Sequence, residues 1–367
     1  MKPDNYCHLT IQSHPAEERI VKEARILRAT CSQIIIAPGD GGEIVQDGVR
    51  IVNYRYRSPL MSVFTSYYLA LKMRARVYHL HDPELLILGW CFRLITSGAV
   101  IYDAHRPTFH YFLWKFGPAG VLLRLKAALL KLIETIGVIF IDGLIMAAPL
   151  SKKGIGRFCH RKIVIRDFPE IESTKIQYPL SPGKVLIYRA LMEKPADLNL
   201  ILETFLQVHL VLPDTRLVLA CPVPDGFDPV LVGRLHEIKL EQQVIVADKT
   251  GWKQLCRQNT IGLATPNSNE YFQRSEQSEI YEYLALGIPV ICGRTAFTEK
   301  IVAEKETGIV LKNLTPLNIS ETVIKLFSDE RLSSQMSINA RHIYKNDCRW
   351  EKNVVELNDF FSGMFPR

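Results

Sequence analysis

Short runs rich in Val, Ile and Leu alternate with longer stretches of helical period through the first half of the chain. In order these are CHLTIQ, residues 15–30, QIIIAP, 58–75, RVYHLH, 83–97, AVIYDA, 119–136 and GLIMAA. Such alternation predicts a mostly parallel sheet with helices on both faces, because each strand must return through a crossover helix. The second half repeats the pattern with KVLIYR, 195–211, RLVLAC, 229–238, QVIVAD, 251–258, TIGLAT, 275–286, PVICG and GIVLK, and three helical stretches from about residue 316 close the chain. Between the halves, RDFPEIESTKIQYPLSPGK carries three prolines and little periodicity, which places a linker at 166–183. The pattern therefore predicts an α/β chain of two Rossmann-like, doubly wound domains, 1–165 and 184–345. The last helix, 346–367, is expected to pack back towards the first domain. Ligands of open α/β sheets bind beyond the carboxyl ends of the strands, so the two sheets are expected to face each other across a cleft with the chemistry on its loops.

Composition sets the class. The 367 residues are 47% hydrophobic and 23% charged, which suits an ordinary globular protein and excludes a disordered one. Eight cysteines are scattered singly without C-x-x-C spacing, as reduced structural thiols are in a cytosol, and they form no metal cluster. The opening MKPDNYCHLTIQSHPAEER lacks the apolar core of a signal peptide, so a cytoplasmic location is expected. A net charge of +7 is compatible with nucleic acid, an anionic membrane or a phosphorylated substrate. Nucleic acid ranks last, because no basic and aromatic residues interleave in a recognisable module.

The segment 112–145 is the densest in both apolar and basic residues, with Lys115, Arg124, Lys126 and Lys131 interrupting a run that would otherwise span a bilayer. As a helix over 119–136 it would place Arg124 and Lys131 on one face beside an apolar surface of Leu122, Leu125, Leu129 and Ile133. That surface suits a helix lying on the inner face of the membrane, and equally one buried between sheet and solvent.

Two places carry candidate chemistry. After the strand KVLIY, Arg189 and Lys194 stand five residues apart on one loop before a helix N-terminus, an arrangement able to neutralise a diphosphate leaving group. In SEIYEYLALGIPVICG, Ser275 just upstream is expected to cap a helix whose positive first turn holds Glu276 and Glu279, with Gly287 ending it before Pro289. Glu282 lies deeper, beside Glu279, and a carboxylate there can accept two hydrogen bonds from the vicinal hydroxyls of a ribose.

With these residues in view, the chain resembles the retaining, nucleotide-sugar-dependent glycosyltransferases of family 4, which have the GT-B fold. YRALMEKP is similar to the family's G-R-L-x-x-x-K-G segment and EIYEYLALGIPVI to its E-[AY]-[ML]-A-x-G-x-P-V segment. VYHLHDPELL, VIYDAHR, HPAEERIVKEARIL and CRWEKNVVEL resemble further family stretches, in the same order. The resemblance implies that Arg189 and Lys194 hold the donor diphosphate and Glu282 the ribose, with Glu279 also at the donor site, and that His105 and Asp103 face the transferred sugar. It places His14, Arg19, His81 and Asp82 on the acceptor side. The chain departs from the family at Tyr188 and Pro195, where glycines are usual, at Arg274, where an acid is usual, and at Arg106 after His105.

The expected activity is transfer of a sugar from a UDP- or GDP-sugar to a lipid-linked or polysaccharide acceptor in cell-surface glycan synthesis. No cofactor is expected beyond the donor as substrate, and no metal, since the chain contains no D-x-D. Two other readings stay open on the departures named above: a catalytically weak homologue serving as a scaffold subunit of a glycan assembly complex, and a sugar-nucleotide epimerase.

Overall fold

The computed structural model describes residues 5–12, 18–28, 31–116, 120–149, 154–170, 183–189, 195–220, 233, 236–237, 240, 242–248, 251–265 and 270–362. The chain divides into two compact units, 1–167 with 351–367, and 168–350.

The first unit is built on an eight-stranded sheet. Its strands are β1 (Asn5–Leu9), β2 (Ser32–Pro38), β3 (Gly42–Gln46), β4 (Val49–Tyr54), β5 (Val77–Leu80), β6 (Ala99–Ala104), β7 (Gly143–Met146) and β8 (Lys162–Val164). They run in the order β3-β4-β2-β1-β5-β6-β7-β8. All neighbours are parallel except β3 and β4. The strand order reverses direction between β1 and β5, where His8 pairs with His79 in register. That reversal opens the crevice in which doubly wound sheets bind ligands.

Helices α1 (Glu18–Leu27), α2 (Pro59–Met73), α3 (Leu86–Ile95), α4 (Thr108–Phe116) and α5 (Val121–Gly137) cover the sheet. One face packs Leu9, Ile36, Tyr78, Leu80, Val100, Tyr102 and Leu144 into a large apolar core. The other carries a smaller core of Ile20, Ala24, Ile35, Ala37, Val49 and Ile51. The helix Trp350–Ser362 joins this unit: Asn353 Nδ2 donates to the Arg166 carbonyl at 2.7 Å, and the Phe361 ring meets Tyr6 edge-on at 5.4 Å.

The β3–β4 hairpin is absent from the periodicity reading. Every β3 residue is exposed, so its sequence carries no buried alternation. The Asp47-Gly48 pair, with φ of 53° and 75°, closes the hairpin as a two-residue turn and was the legible signal for it. Helix α5 turns Ala127, Leu130 and Glu134 inward and leaves Leu122, Leu125 and Leu129 at 84%, 60% and 56% exposure. Ile133 departs from the expected stripe and packs against the core. No helix among the described residues is long and apolar enough to cross a membrane.

The second unit has a six-stranded parallel sheet: β9 (Lys184–Tyr188), β10 (Thr215–Leu219), β11 (Val244–Val246), β12 (Asn259–Ala264), β13 (Val290–Gly293) and β14 (Gly308–Leu311). The order β11-β10-β9-β12-β13-β14 is the 3-2-1-4-5-6 of a dinucleotide-binding sheet, reversing between β9 and β12. Around it lie α6 (Pro195–Val211), the short α7 (Trp252–Leu255) and α8 (Glu270–Arg274), then α9 (Ser278–Leu286), α10 (Pro316–Ser328) and α11 (Glu330–Asp347). Pro195 is the first residue of α6, a position where proline loses nothing because that N–H has no helical partner. Tyr188, the second departure from the family pattern, is 2% exposed and belongs to the apolar core.

Candidate functional sites at the two strand-order reversals

In the second unit the reversal point is organised by Tyr283 of α9. Its hydroxyl accepts the Arg189 backbone N–H at 3.0 Å, just past the end of β9, and donates to the Leu263 carbonyl of β12 at 3.2 Å. Gly262 leaves room for the ring: a Cβ there would stand 2.8 Å from it. One buried phenol thus ties the last turn of β9 to β12 and fixes where Arg189 starts.

The Arg189 side chain then turns to α9, where its Nε lies 2.7 Å from Glu282 Oε2. Glu282 is 9% exposed. Glu279, one turn earlier, is pushed up to about 7 by burial, with Arg189 opposing and Glu282 adding to the shift. The two residues assigned separately to diphosphate and ribose therefore form one ion pair, with a carboxyl that is half-protonated near neutrality beside it.

Helix α9 begins at Ser278 with Gln277 as its cap residue and no side-chain cap. The expectation that Ser275 caps it is corrected: the Ser275 hydroxyl donates to the Tyr271 carbonyl, and Glu276 lies before the helix, accepting from Tyr281 at 2.6 Å. The first-turn N–H groups of α9 are thereby left uncapped by side chains, as an anion site requires. Gly287 ends the helix in the left-handed region, φ 66°, as expected. Arg274 is exposed and pairs with Glu270. Lys194 lies outside the described residues.

In the first unit the reversal point is polar and closed. His8, His79, His81 and Asp103 are all at most 3% exposed. His79 and His81 are two residues apart along β5 and its end, so they share a face of the sheet with His8. His8 Nδ1 lies 2.9 Å from His81 Nε2, and His81 Nδ1 lies 3.0 Å from His105 Nε2. His8 Nε2 is 3.3 Å from Gln33 Oε1, and Tyr6 OH is 3.0 Å from His79 Nδ1.

From α1, Arg19 makes a two-pronged contact with Asp103, Nε to Oδ2 at 2.9 Å and Nη2 to Oδ1 at 3.1 Å, and donates to the Ile165 carbonyl. Burial pushes the Asp103 carboxyl up, but Arg19, His105 and His79 together outweigh it and hold the group well below the usual carboxylate range. Burial lowers His8 to about 4 and, with the neighbouring rings, holds His79 and His81 well below the ordinary histidine value. Glu23 is raised by burial and by Asp103, against Arg19. The His8, His79 and His81 rings are therefore held uncharged around one Arg–Asp pair.

Arg19, His81, Asp82 and Asp103, expected at the site, are all buried. Asp103 is fully buried with both oxygens engaged by Arg19. Asp82 accepts from the Thr10 hydroxyl and the Ile11 N–H at 2.8 and 2.7 Å, fixing the loop after β1. Arg19 and His81 are likewise buried supports, and His105 is the ring at the edge, its side chain 11% exposed. His14 lies outside the described residues. His8, Gln33, Glu23 and Tyr283 were missed. The period-two placement of histidines on strands that later pair was the only sequence signal for His8.

Two groupings, His8-Glu23-His79-His81 and His81-Asp103-His105, have ligand-type atoms within 4.8 Å of one another. Their chemistry fits a hydrogen-bond network better than a metal centre. Two of the nitrogen pairs are at proton-sharing distance, and the Arg19 guanidinium, 2.9 Å from Asp103 and 3.2 Å from Glu23, already supplies the positive charge.

Comparisons with known proteins bear on the fold and on one segment of the second unit. Residues 278–343, which include α9, match the family described as Glycosyl transferases group 1. No curated protein matches the sequence. Among solved structures, sucrose-phosphate synthase from Thermosynechococcus elongatus superposes with a TM-score of 0.74 at 13% identity, covering 99% of each chain. Anabaena HepE in complex with UDP-glucose gives 0.72 at 13%, covering 98% of this chain and 99% of that one. WaaG, a glycosyltransferase involved in lipopolysaccharide biosynthesis, gives 0.71 at 12% with the same coverage. The chain thus has the GT-B glycosyltransferase fold, two parallel-sheet α/β units, and its second unit holds a segment that matches the group 1 glycosyl transferases.

Proposed function

We propose that the protein is a retaining glycosyltransferase that moves a sugar from a UDP-sugar, or a GDP-sugar, to a lipid-linked or polysaccharide acceptor in cell-surface glycan synthesis. The observation that carries the reading is the Arg189–Glu282 pair at the β9–β12 reversal, beside the uncapped start of α9, with Glu282 inside the matched segment. The UDP and UDP-glucose bound by HepE support a uridine nucleotide as the first candidate.

In this reading Glu282 exchanges Arg189 for the ribose hydroxyls when donor binds. Arg189 and Lys194, with the α9 N–H groups, then stabilise the diphosphate as it leaves. No cofactor or metal is invoked. Departure of the diphosphate generates an oxocarbenium-like centre, the acceptor hydroxyl attacks from the same face, and its proton passes to the leaving phosphate oxygen. His105 holds a sugar hydroxyl.

The acceptor class draws support from α5, whose exposed Leu122, Leu125 and Leu129 lie among Arg124, Lys126 and Lys131, as on a helix resting on anionic lipid. Trp90 and Leu94 of the neighbouring α3 are also exposed. A protein held on the cytoplasmic leaflet in this way would meet lipid-linked glycans there.

A thermal-shift titration with UDP, GDP and their sugars tests the donor site. At about 100 times its dissociation constant a ligand stabilises by about 2.7 kcal/mol. A shift with one nucleotide that Arg189→Ala and Glu282→Ala each abolish is the expected result; no shift with any nucleotide refutes the reading. Flotation with anionic vesicles tests the membrane contact, which fails if wild type does not float or if Leu125→Glu/Leu129→Glu floats equally well.

A further inference from the structure

We propose that Gln33, His8 and His81 are positioning residues that fix the tautomer of His105, leaving its Nδ1 as a bare acceptor for a substrate hydroxyl. The three imidazoles form a ladder with one loose end, and the polarity of every rung follows from the other end.

The Gln33 amide is oriented by its surroundings. Its Nε2 faces the Cys31 carbonyl at 3.3 Å and the Cys31 sulfur at 3.0 Å, contacts that call for a donor. Its Oε1 therefore points at His8 Nε2, 3.3 Å away, and an amide oxygen only accepts. His8 must carry its proton on Nε2. A neutral ring has one proton, so His8 Nδ1 is bare and accepts from His81 Nε2 at 2.9 Å. By the same step His81 Nδ1 is bare and accepts from His105 Nε2 at 3.0 Å.

His105 is thereby protonated on Nε2, and its Nδ1, a buried nitrogen with no hydrogen-bond partner, is left with a free lone pair. The opposite polarity sets two lone pairs face to face at Gln33 and His8 and strands an N–H on His105. Losing that one buried hydrogen bond disfavours it by about tenfold or more.

Burial keeps His8 and His81 in the neutral form that the ladder requires. Asp103 Oδ2 lies 3.7 Å from both His81 Nδ1 and His105 Nε2, beside their shared proton but too far to capture it. The information that sets His105 is thus held on β2, two strands away in the sheet from β5. A ring fixed this way can receive a hydroxyl proton at Nδ1 and cannot offer one there. That selects the orientation of the sugar hydroxyl, an identity that rests on the transferase reading above.

The test is the imidazole nitrogen spectrum of the full-length protein labelled with 15N-histidine, with rings assigned by single substitutions. Expected is a His105 resonance pair with Nε2 protonated and Nδ1 bare, and the same tautomer for His8 and His81. Gln33→Met removes the accepting oxygen, together with the amide donor to Cys31, and should give His105 a mixture of tautomers. Tyr6→Phe, which perturbs the same buried layer but bonds to His79 outside the ladder, should leave His105 unchanged.

A His105 proton on Nδ1 in wild type overturns the proposal, as does a Gln33→Met spectrum with His105 unaltered. If Gln33→Met does not fold, His81→Gln breaks the ladder at its middle and must alter the His105 pair. Simultaneous displacement of all three rings by added Zn2+, reversed by a chelator, would show the nitrogens to be ligands and also overturn it. In turnover assays with UDP-glucose, Gln33→Met should lower kcat several-fold with UDP affinity unchanged. Absence of wild-type turnover would count against the transferase reading, while the spectra still decide the ladder.

Discussion

Replacing Arg19 with methionine should unfold the first unit more readily than any other single change in the polar layer, and the structure sets the size. Asp103 has no exposure, and both of its oxygens are held by Arg19 at 2.9 and 3.1 Å. Methionine keeps most of the volume of the stem but removes the cation, the Ile165 carbonyl's donor and the neighbour of Glu23. A buried charge stripped of its partner costs about 3–5 kcal/mol, of which an ordinary lost hydrogen bond explains about 1. Arg19→Met combined with Asp103→Asn removes the stranded charge and should recover about 2 kcal/mol of the loss. The assay is peptide-resolved hydrogen exchange of β1 and β6 in a denaturant series, since the two units need not unfold together.

The pH dependence carries a sign as well. In wild type Asp103 is held below its ordinary value, so its contribution is present above the unfolded carboxylate range and is lost as pH falls towards the folded pKa. In Arg19→Met the leading influence is burial, which raises the pKa, and stability should fall as pH rises instead. A single-variant cost under about 1 kcal/mol, or a double variant costing the full sum of the singles, would refute the assignment of Arg19 as the partner that permits a buried Asp103.

Other expectations are more local. Glu134, which accepts from Tyr102 and Thr108 and is raised to about 7 mainly by burial, stabilises below 4.5 and loses that contribution as pH rises through 7. Glu134→Gln should flatten a slope of up to about 3 kcal/mol across that window in denaturant titrations at stepped pH. A Cβ at Gly308 would overlap the Val290 carbonyl oxygen, so Gly308→Ala should cost about 3 kcal/mol by parting β13 from β14, measured by chemical denaturation. Because Glu279 is raised to about 7 and ionises beside Arg189, UDP affinity should fall as pH passes 7 and Glu279→Gln should be flat there, measured by calorimetry.

The order of strands and helices was written in local patterning. KVLIY, TIGLA and AVIYDA are mostly apolar because both faces of a parallel strand are buried, and that signal needs no knowledge of neighbours. So was the end of α9, since Gly287 must take a positive φ that few other residues tolerate. The hairpin of β3 and β4 was legible only through Asp47-Gly48, its exposed strand being silent. The sequence could also place Arg189 behind β9 and Glu282 on α9, but it assigned them separate tasks; that they pair at 2.7 Å depends on the β9–β12 reversal bringing α9 over the end of β9.

The histidine layer shows the limit most clearly. His8 and His81 lie 73 residues apart in the chain, and His8 and Gln33 lie 25 apart. Each reads alone as a polar residue in or beside an apolar strand, which periodicity counts as noise. Parallel register across β1, β2 and β5 sets them side by side, and burial then removes the water that would otherwise satisfy them. Periodicity is a property of consecutive residues, so the sequence determined the strands, the helices and the residue types at their ends. Which nitrogen meets which oxygen, and hence which proton sits where, was decided only when the strands paired and closed the layer to solvent.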